Sequence, residues 1–254
     1  MANLNGKNVI ITGAAGGLGG EIARAAAAAG AAVAIFDVRG VDEAVATLKQ
    51  SGFKAVGVTV DVRDGKAVVA ATDEVARALG GVHILIAAAG GSLGTPRDLD
   101  DISEEDLDFV LDVNIKGTFN CARAAISHMK QNGGGSIVTF SSIGGRSASP
   151  VTGVPYAAAK AGLLGLTRRL AREVGNANIR VNAIAPGLFL TDRLQGMFDA
   201  LPEAERKEVL DSIPLGRMPQ LRECVEPVLF LASDESSYIT GVVLDVNGGR
   251  FMAG

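Results

Sequence analysis

Two tyrosines occur in the chain, and one of them begins the run YAAAK, which places Lys160 at i+4 from Tyr156. Pro155 precedes the tyrosine, as suits the first turn of a helix. On a helix, positions i and i+4 share a face, so phenol and ammonium can enter one pocket. A free phenol ionises near ~10, too high for a base at neutral pH. A drop of roughly three units takes about 4 kcal/mol of differential interaction with a cation. One ammonium on an exposed helix falls short of that, so a second positive charge is needed. The chemistry implied is proton exchange with an oxygen. The plainer reading is a Tyr–Lys packing pair on a helix surface.

Upstream, the apolar run 136–142 ends in Ser141-Ser142 and is followed by Ile143-Gly144-Gly145. A serine at a strand's C-terminal edge can donate to a substrate oxygen and help align the tyrosine. Otherwise it closes the strand as a serine turn. Asn114, in DVNIKG, falls in a helical pattern where asparagine has poor propensity. It either bends that helix as a satisfied polar group or offers a carbonyl or amide to a water near Lys160. Arg146 is read as solvent-exposed, with contact to an anionic substrate group as the alternative.

A second constellation lies at the N-terminus, in VIITGAAGGLGGEIARAAAAAG. A strand leads through Thr12, Gly13, Gly17, Leu18 and Gly19 into a helix. A diphosphate must come close to backbone N–H groups, where a Cβ would block it, and a helix N-terminus favours its charge. Asp37 ends the second strand near the roughly 20-residue spacing expected for a ribose-binding acid. Its carboxylate would repel a 2′-phosphate, so NAD is expected and NADP is less favoured. Arg39 is read as a solvated arginine. Asp61 and Val62 would flank an adenine, unless Asp61 only ends a strand or caps a helix.

These residues need a frame. Short β-branched runs at 9–12, 33–37, 56–62, 84–89, 136–142, 179–184 and 242–246 alternate with helical patterns near 17–29, 41–51, 65–79, 103–130, 155–174 and 222–233. Such alternation predicts a parallel sheet covered on both faces. Ser103 with Asp106 resembles a capping box, and Asp64 could cap the third helix. No linker or repeat divides the chain, so 1–254 is read as one domain. Residues 187–218 break the alternation after the sixth strand and are expected to form a lid, or else a surface helical pair. Pocket shape then depends on residues 92–97, 143–155 and 187–218 folding together.

Of 254 residues, 48% are hydrophobic and 20% charged, which excludes a disordered chain. A net charge of −4 gives no electrostatic reason to bind nucleic acid or an anionic membrane. Cys121 and Cys224 sit apart in apolar contexts, so no disulfide or metal site is expected and a cytoplasmic location is read. No signal-peptide or membrane-spanning run is seen. His83 and His128 fall at a strand start and within a helix, which disfavours a Ser-His hydrolase.

Taken in order, TGAAGGLG, Asp37, Asp61-Val62, Asn114, Ser142, YAAAK, Pro186-Gly187…Thr191 and YITGVVLDVNGG resemble the short-chain dehydrogenase/reductase family over the whole chain. The resemblance implies a single-domain, doubly wound Rossmann-type α/β fold of about seven strands. It implies that Tyr156 is the general acid/base and that Lys160 lowers its pKa and binds the nicotinamide ribose. Ser142 would polarise the substrate oxygen and Asn114 would anchor a relay water. Gly13, Gly17, Leu18, Gly19, Asp37, Asp61, Val62, Ala88, Gly90, Pro186, Gly187, Phe189 and Thr191 would bind the cofactor with Tyr156 and Lys160. A homotetramer is implied, with the C-terminal strand and the 155–174 helix as interfaces.

Three departures stand out. The usual Asn-Asn-Ala-Gly reads Ala87-Ala88-Ala89-Gly90, which is expected to loosen that corner. Ala15-Gly16 stands where NADP-preferring members often carry Ser-Arg. Gly133-Gly134-Gly135 and Gly175–Asn178 replace the basic residues with which carrier-protein reductases hold an acidic partner. The leading expectation is an NAD-dependent alcohol dehydrogenase or carbonyl reductase for a small secondary alcohol or ketone. The alternatives are an NADPH-dependent 3-oxoacyl-thioester reductase and a dinucleotide-sensing protein without turnover.

Overall fold

Near-continuous apolar runs leave a strand no wet face. Every residue of β1 (Asn8–Thr12) is accordingly buried. The computed structural model describes residues 2–148, 152–199 and 202–253, so positions 149–151 of the expected pocket loop and 200–201 of the expected lid lie outside the described residues. After β1 come α1 (Gly17–Ala28), β2 (Ala32–Asp37), α2 (Val41–Gln50), β3 (Ala55–Thr59), α3 (Gly65–Leu79) and β4 (Ile84–Ala87). Then follow α4 (Glu104–Leu111), α5 (Gly117–Gln131), β5 (Gly135–Phe140), α6 (Val154–Val174) and β6 (Ile179–Pro186). The chain continues through α7 (Asp192–Asp199), α8 (Glu203–Asp211), α9 (Arg222–Ala232) and β7 (Val243–Val246).

The strands form one 7-stranded sheet in the order β3-β2-β1-β4-β5-β6-β7. Every pairing is parallel. Side chains alternate between two cores. Val9, Ile11, Val33 and Ile35 join the layer of α1, α2 and α9, whereas Ile10, Ala34 and Phe36 join that of α3 and α5. The strand order reverses between β1 and β4, and such a switch point opens a crevice beyond the strands' C-terminal ends.

Local signals behave as their chemistry requires. Ser103 and Asp106 exchange the two bonds of a capping box, each at 3.1 Å. Asp64 Oδ1 accepts from the amides of Lys66 and Ala67 at 2.9 and 3.0 Å, capping α3. Cys121 and Cys224 are buried and free. Among the described residues, no helix is long and apolar enough to cross a membrane.

The expected helix over 103–130 is two helices joined by a wide turn, Asp112–Lys116, of π-helical geometry. Within it Asn114 Nδ2 donates to Val110 O at 2.8 Å, and Thr118 Oγ1 donates to Asn114 O at 2.7 Å. Side chains thus compete for the helix's own carbonyls and widen it. Several strands end early. β3 stops at Thr59 and β4 at Ala87, where Ala88 N turns back to Ile86 O. β5 stops at Phe140, before the serines, while β6 runs on to Pro186, opposite Val246. The helical pair after β6 is present as α7 and α8, and α8 buries none of its residues.

Helix α1 sits close on the glycine turn. A Cβ on Gly19 would lie 2.1 Å from Gly13 O, whereas one on Gly20 would meet Ala14 O at an ordinary 3.5 Å. Gly19→Ala should therefore lower stability by about 1–3 kcal/mol through overpacking. Gly20→Ala should raise it by up to about 1 kcal/mol through helix propensity. Urea unfolding midpoints of the two variants test the contrast.

Candidate active site

Leaving the sheet, β5 delivers Ser141 and Ser142 to its C-terminal edge. Ser141 Oγ donates to Lys160 O at 2.8 Å and ties the strand exit to α6. A Cβ on Gly145 would stand 2.4 Å from the Lys160 carbonyl carbon, so only glycine lets the loop after Ser142 lie on the helix. Ser142 Oγ accepts from Gly144 N at 3.1 Å, which is the serine turn. Ser142 also faces the Tyr156 phenol closely enough to lower its pKa, and a Cβ on the intervening Gly144 would stand 3.6 Å from the Tyr156 ring and 3.7 Å from Ser142 Oγ.

Pro155 lies in the first turn of α6, and Tyr156 and Lys160 face inward from it. Lys160 is 4% exposed, which rules out the surface-pair reading. Its Nζ donates to Phe140 O at 2.8 Å and stands 5.5 Å from the centre of the Tyr156 ring. Desolvation pushes its pKa down to about 7. Burial pushes the half-buried Tyr156 up, and the neighbouring Ser142 draws it partly back. The ammonium thus lies over the ring, and both groups lean towards neutrality. Phenolate chemistry here needs a further positive charge.

Asn114 is fully buried, and its amide clasps the corner after β4. Oδ1 accepts from Gly91 N and Nδ2 donates to Gly91 O, each at 3.0 Å. With Val110 O taking the other Nδ2 hydrogen, no amide donor remains for a water. On the other side, Thr12 Oγ1 accepts from Ala89 N at 2.9 Å. The loosening expected from Ala87-Ala88 is thus corrected, because Thr12 and Asn114 hold the corner from outside. A Cβ on Gly90 would lie 2.4 Å from Asn114 Oδ1 and 3.4 Å from Lys160 Nζ. Gly90 therefore sits beside the lysine, while Ala88 packs against the Gly13 turn.

The glycine turn leaves backbone amides that an anion could reach. Gly13 has φ +67, and a Cβ there would stand 2.8 Å from Ala89 Cα. Helix α1 is preceded by Gly16, has no side-chain cap and carries no acid in its first turn, so the amides of Gly17, Leu18 and Gly19 lack side-chain partners. Thr191 reaches over from β6's exit, with Cγ2 3.6 Å from a Cβ placed on Gly17. Gly187 N bonds Val246 O, and Phe189 is buried below. Pro186 to Thr191 thus closes the turn's open side, and these residues suit a dinucleotide's diphosphate.

Asp37 accepts from Ala15 N at 3.0 Å and Val38 N at 2.8 Å, which aims its carboxylate at the turn. Arg39 is exposed, as read. Asp61 lies beyond β3 and is held by Arg63, at 2.6 Å from Nη2 and 2.9 Å from the backbone amide. That guanidinium lowers its pKa. Asp61 therefore braces the turn that follows β3. Val62 is buried, and its carbonyl accepts from Asn120 Nδ2 at 2.9 Å. Asn120 was legible by the same signal as Asn114, an asparagine inside a helix. Exposure of Arg146 is corrected: its side chain is 12% exposed and pairs with Asp245 at 2.8 Å. Asp245, one acid in the apolar run VVLDV, gave a signal that went unread.

Known proteins are similar to this chain over nearly its whole length. A family model described as enoyl-(acyl carrier protein) reductase matches residues 13–250. An uncharacterized short-chain type dehydrogenase/reductase of Sinorhizobium fredii is 42% identical over 98% of this chain and 99% of its own. The chain belongs to the short-chain dehydrogenase/reductase family. A 3-oxoacyl-(acyl-carrier-protein) reductase of Thermotoga maritima is 38% identical, covering 97% of this chain and 98% of its own. A 7α-hydroxysteroid dehydrogenase solved with NADH and 7-oxo glycochenodeoxycholic acid superposes with a TM-score of 0.89. That protein is 33% identical, over 97% of this chain and 95% of its own. This chain is thus an oxidoreductase of a family that uses nicotinamide dinucleotides.

Burial of Lys160 predicts a pH signature. Its folded pKa, about 7, lies below the ordinary 10.5, so between these values the unfolded chain binds a proton that the folded chain does not. Stability relative to Lys160→Met should then be flat below pH 7. Above it, the difference should rise in favour of the wild type by up to about 1.4 kcal/mol per pH unit. Denaturant titrations of both proteins from pH 6 to about 10 check the slope.

Proposed function

We propose that the protein is an NAD-dependent dehydrogenase/reductase interconverting a secondary alcohol and a ketone, with Tyr156 as general acid/base. The observation that carries this is the meeting of Ser142, Tyr156 and Lys160 at the C-terminal edge of β5, beside the corner that Asn114 and Thr12 hold. A bound nicotinamide dinucleotide supplies or accepts the hydride. Ser142 Oγ donates to the substrate oxygen, and Tyr156 Oη gives that oxygen its proton or removes it. Lys160 Nζ, anchored on Phe140 O, keeps two further hydrogens for a ribose and for charge beside the phenol. Both Asn114 amide hydrogens are taken by Gly91 O and Val110 O, so a relay water near Lys160 would donate to the remaining lone pair of Oδ1.

Asp37 supports NAD over NADP, since its carboxylate closes the turn where a 2′-phosphate would need a cation. The related dehydrogenase solved with NADH agrees with that choice. Residues 187–218, with α7 and α8, are assigned as the substrate lid of a single catalytic domain. A homotetramer is proposed on the family resemblance, and β7 ends the sheet as an outer strand open to pairing.

The 3-oxoacyl-thioester reaction stands as a second reading, because the Thermotoga relative bears that name. The glycines that replace basic residues do not decide between the two. Gly135 N bonds Asn178 O at 3.1 Å, and a Cβ on Gly134 would stand 2.6 Å from that same oxygen. That contact lies at the end of β5 remote from Ser142. Absorbance assays separate the readings: NAD⁺ with a panel of secondary alcohols against NADPH with acetoacetyl-CoA. Turnover only in the second would overturn the proposal.

Two variants probe the roles. Tyr156→Phe should lower turnover by at least 10²- to 10⁴-fold, roughly the contribution of general acid–base catalysis, while NADH affinity stays within a few-fold. Retained activity would show that the proton donor is another group. Asp37→Ser combined with Val38→Arg should shift the kcat/KM ratio towards NADPH. A wild type that already prefers NADPH would refute the role given to Asp37.

A further inference from the structure

Arg146 stands behind the proton-handling residues and is held from two sides. Its Nη2 donates to Asp245 Oδ2 at 2.8 Å, joining the loop after Ser142 to β7 across 99 residues of sequence. Its guanidinium also lies 5.1 Å from the centre of the Phe251 ring, within cation–π range. The ring is placed by a turn built on Asn247. Oδ1 of that residue accepts from Gly249 N and Phe251 N at 3.0 and 3.2 Å, and Nδ2 donates to Phe251 O at 3.1 Å.

As a stabilising device this pair is poorly made. The side chains are 12% and 21% exposed, and Arg146 Nε and Asp245 Oδ1 are buried without a partner among the described residues. Pairs taken out of water and left partly unsatisfied contribute little net stability and are often matched by apolar groups. What the pair does supply is a fixed direction. Arg146 N bonds Ile143 O, and Gly145 N bonds Ser142 O, each at 3.0 Å, so the guanidinium's anchor carries back to the serine through one tight turn. Beside that turn a Cβ on Gly144 would stand 3.6 Å from the Tyr156 ring and 3.7 Å from Ser142 Oγ. A small rotation of the loop therefore changes how the serine meets the phenol.

We infer that Arg146 is a positioning residue, pinned by Asp245 and Phe251 so that the Ser142 turn holds the serine hydroxyl on the Tyr156 phenol. Its kinetic consequence rests on the proposed activity, while its structural one does not. The C-terminal turn thereby belongs to the working site, although none of its residues touches the phenol in the contacts described.

The chain has no tryptophan and two tyrosines, of which Tyr238 is fully exposed, so a Tyr238→Phe background leaves Tyr156 as the sole tyrosine. In that background tyrosinate absorbance reports Tyr156 alone. Ser142→Ala should raise its midpoint, because the serine beside the phenol lowers it. Arg146→Met should shift it the same way, and should add nothing once Ser142 is already Ala. Asp245→Asn and Phe251→Leu, which keep the loop's own sequence, should give smaller shifts of the same sign. With NAD⁺ and the secondary alcohol that wild type oxidises best, Arg146→Met should lower kcat on the order of 10- to 100-fold while NADH binding is unchanged. That loss too should vanish in the Ser142→Ala background. An unmoved midpoint, or an effect of equal size with and without Ser142, would overturn the inference. Absence of any turnover by wild type would refute the proposed activity alone, since the titration still decides the role of Arg146.

Discussion

Desolvation of one ammonium is the constraint on which the site depends. Lys160 keeps a charge-bearing group inside the protein with Phe140 O as its protein hydrogen-bond partner, and burial lowers its pKa to about 7. Taking an ammonium out of water is expensive, so neighbouring elements must hold the lysine where folding alone would not favour it. Ser141 grips the helix backbone at Lys160, and Gly145 lets the serine loop lie against that same peptide. Under the proposed activity, the chemistry is built around a group that gains partners when a polar ligand arrives. That logic is common to sites which bind before they react.

Beside the lysine, the corner after β4 is a problem in backbone approach. Two chain segments, the glycine turn and Ala88 to Gly91, come so close that neither Gly13 nor Gly90 has room for a Cβ. Main-chain groups at such a corner still need partners. Thr12 and Asn114 provide them from β1 and from the widened turn between α4 and α5. This explains why that helix is interrupted: a regular α-helix would keep Val110 O and Asn114 O in its own ladder, leaving the Asn114 side chain less free to turn back.

Much of this was legible in the residues. Strand and helix order, the capping box at Ser103, the cap at Asp64 and the inward pairing of Tyr156 with Lys160 follow from local chemistry and periodicity. Strand ends were less so, because an apolar run such as 56–62 continues past the last ladder bond. The commitment of the Asn114 amide was not legible, since it depends on Gly91, 23 residues away. Arg146 was misread for a related reason. An arginine in a glycine-rich loop is ordinarily wet, and its acid lies 99 residues away.

By itself, then, the amino-acid order determined which residues could move a proton, which glycines could admit a diphosphate, and the alternation that makes a parallel sheet. Those properties belong to single side chains or to near neighbours, where spacing alone sets the face. The tertiary structure decided how deep Lys160 lies, what Asn114 holds and what stands behind the serine loop. Such features arise where β1, β4, β5 and β7 bring distant segments together, and burial and hydrogen bonding exist only once those segments have met.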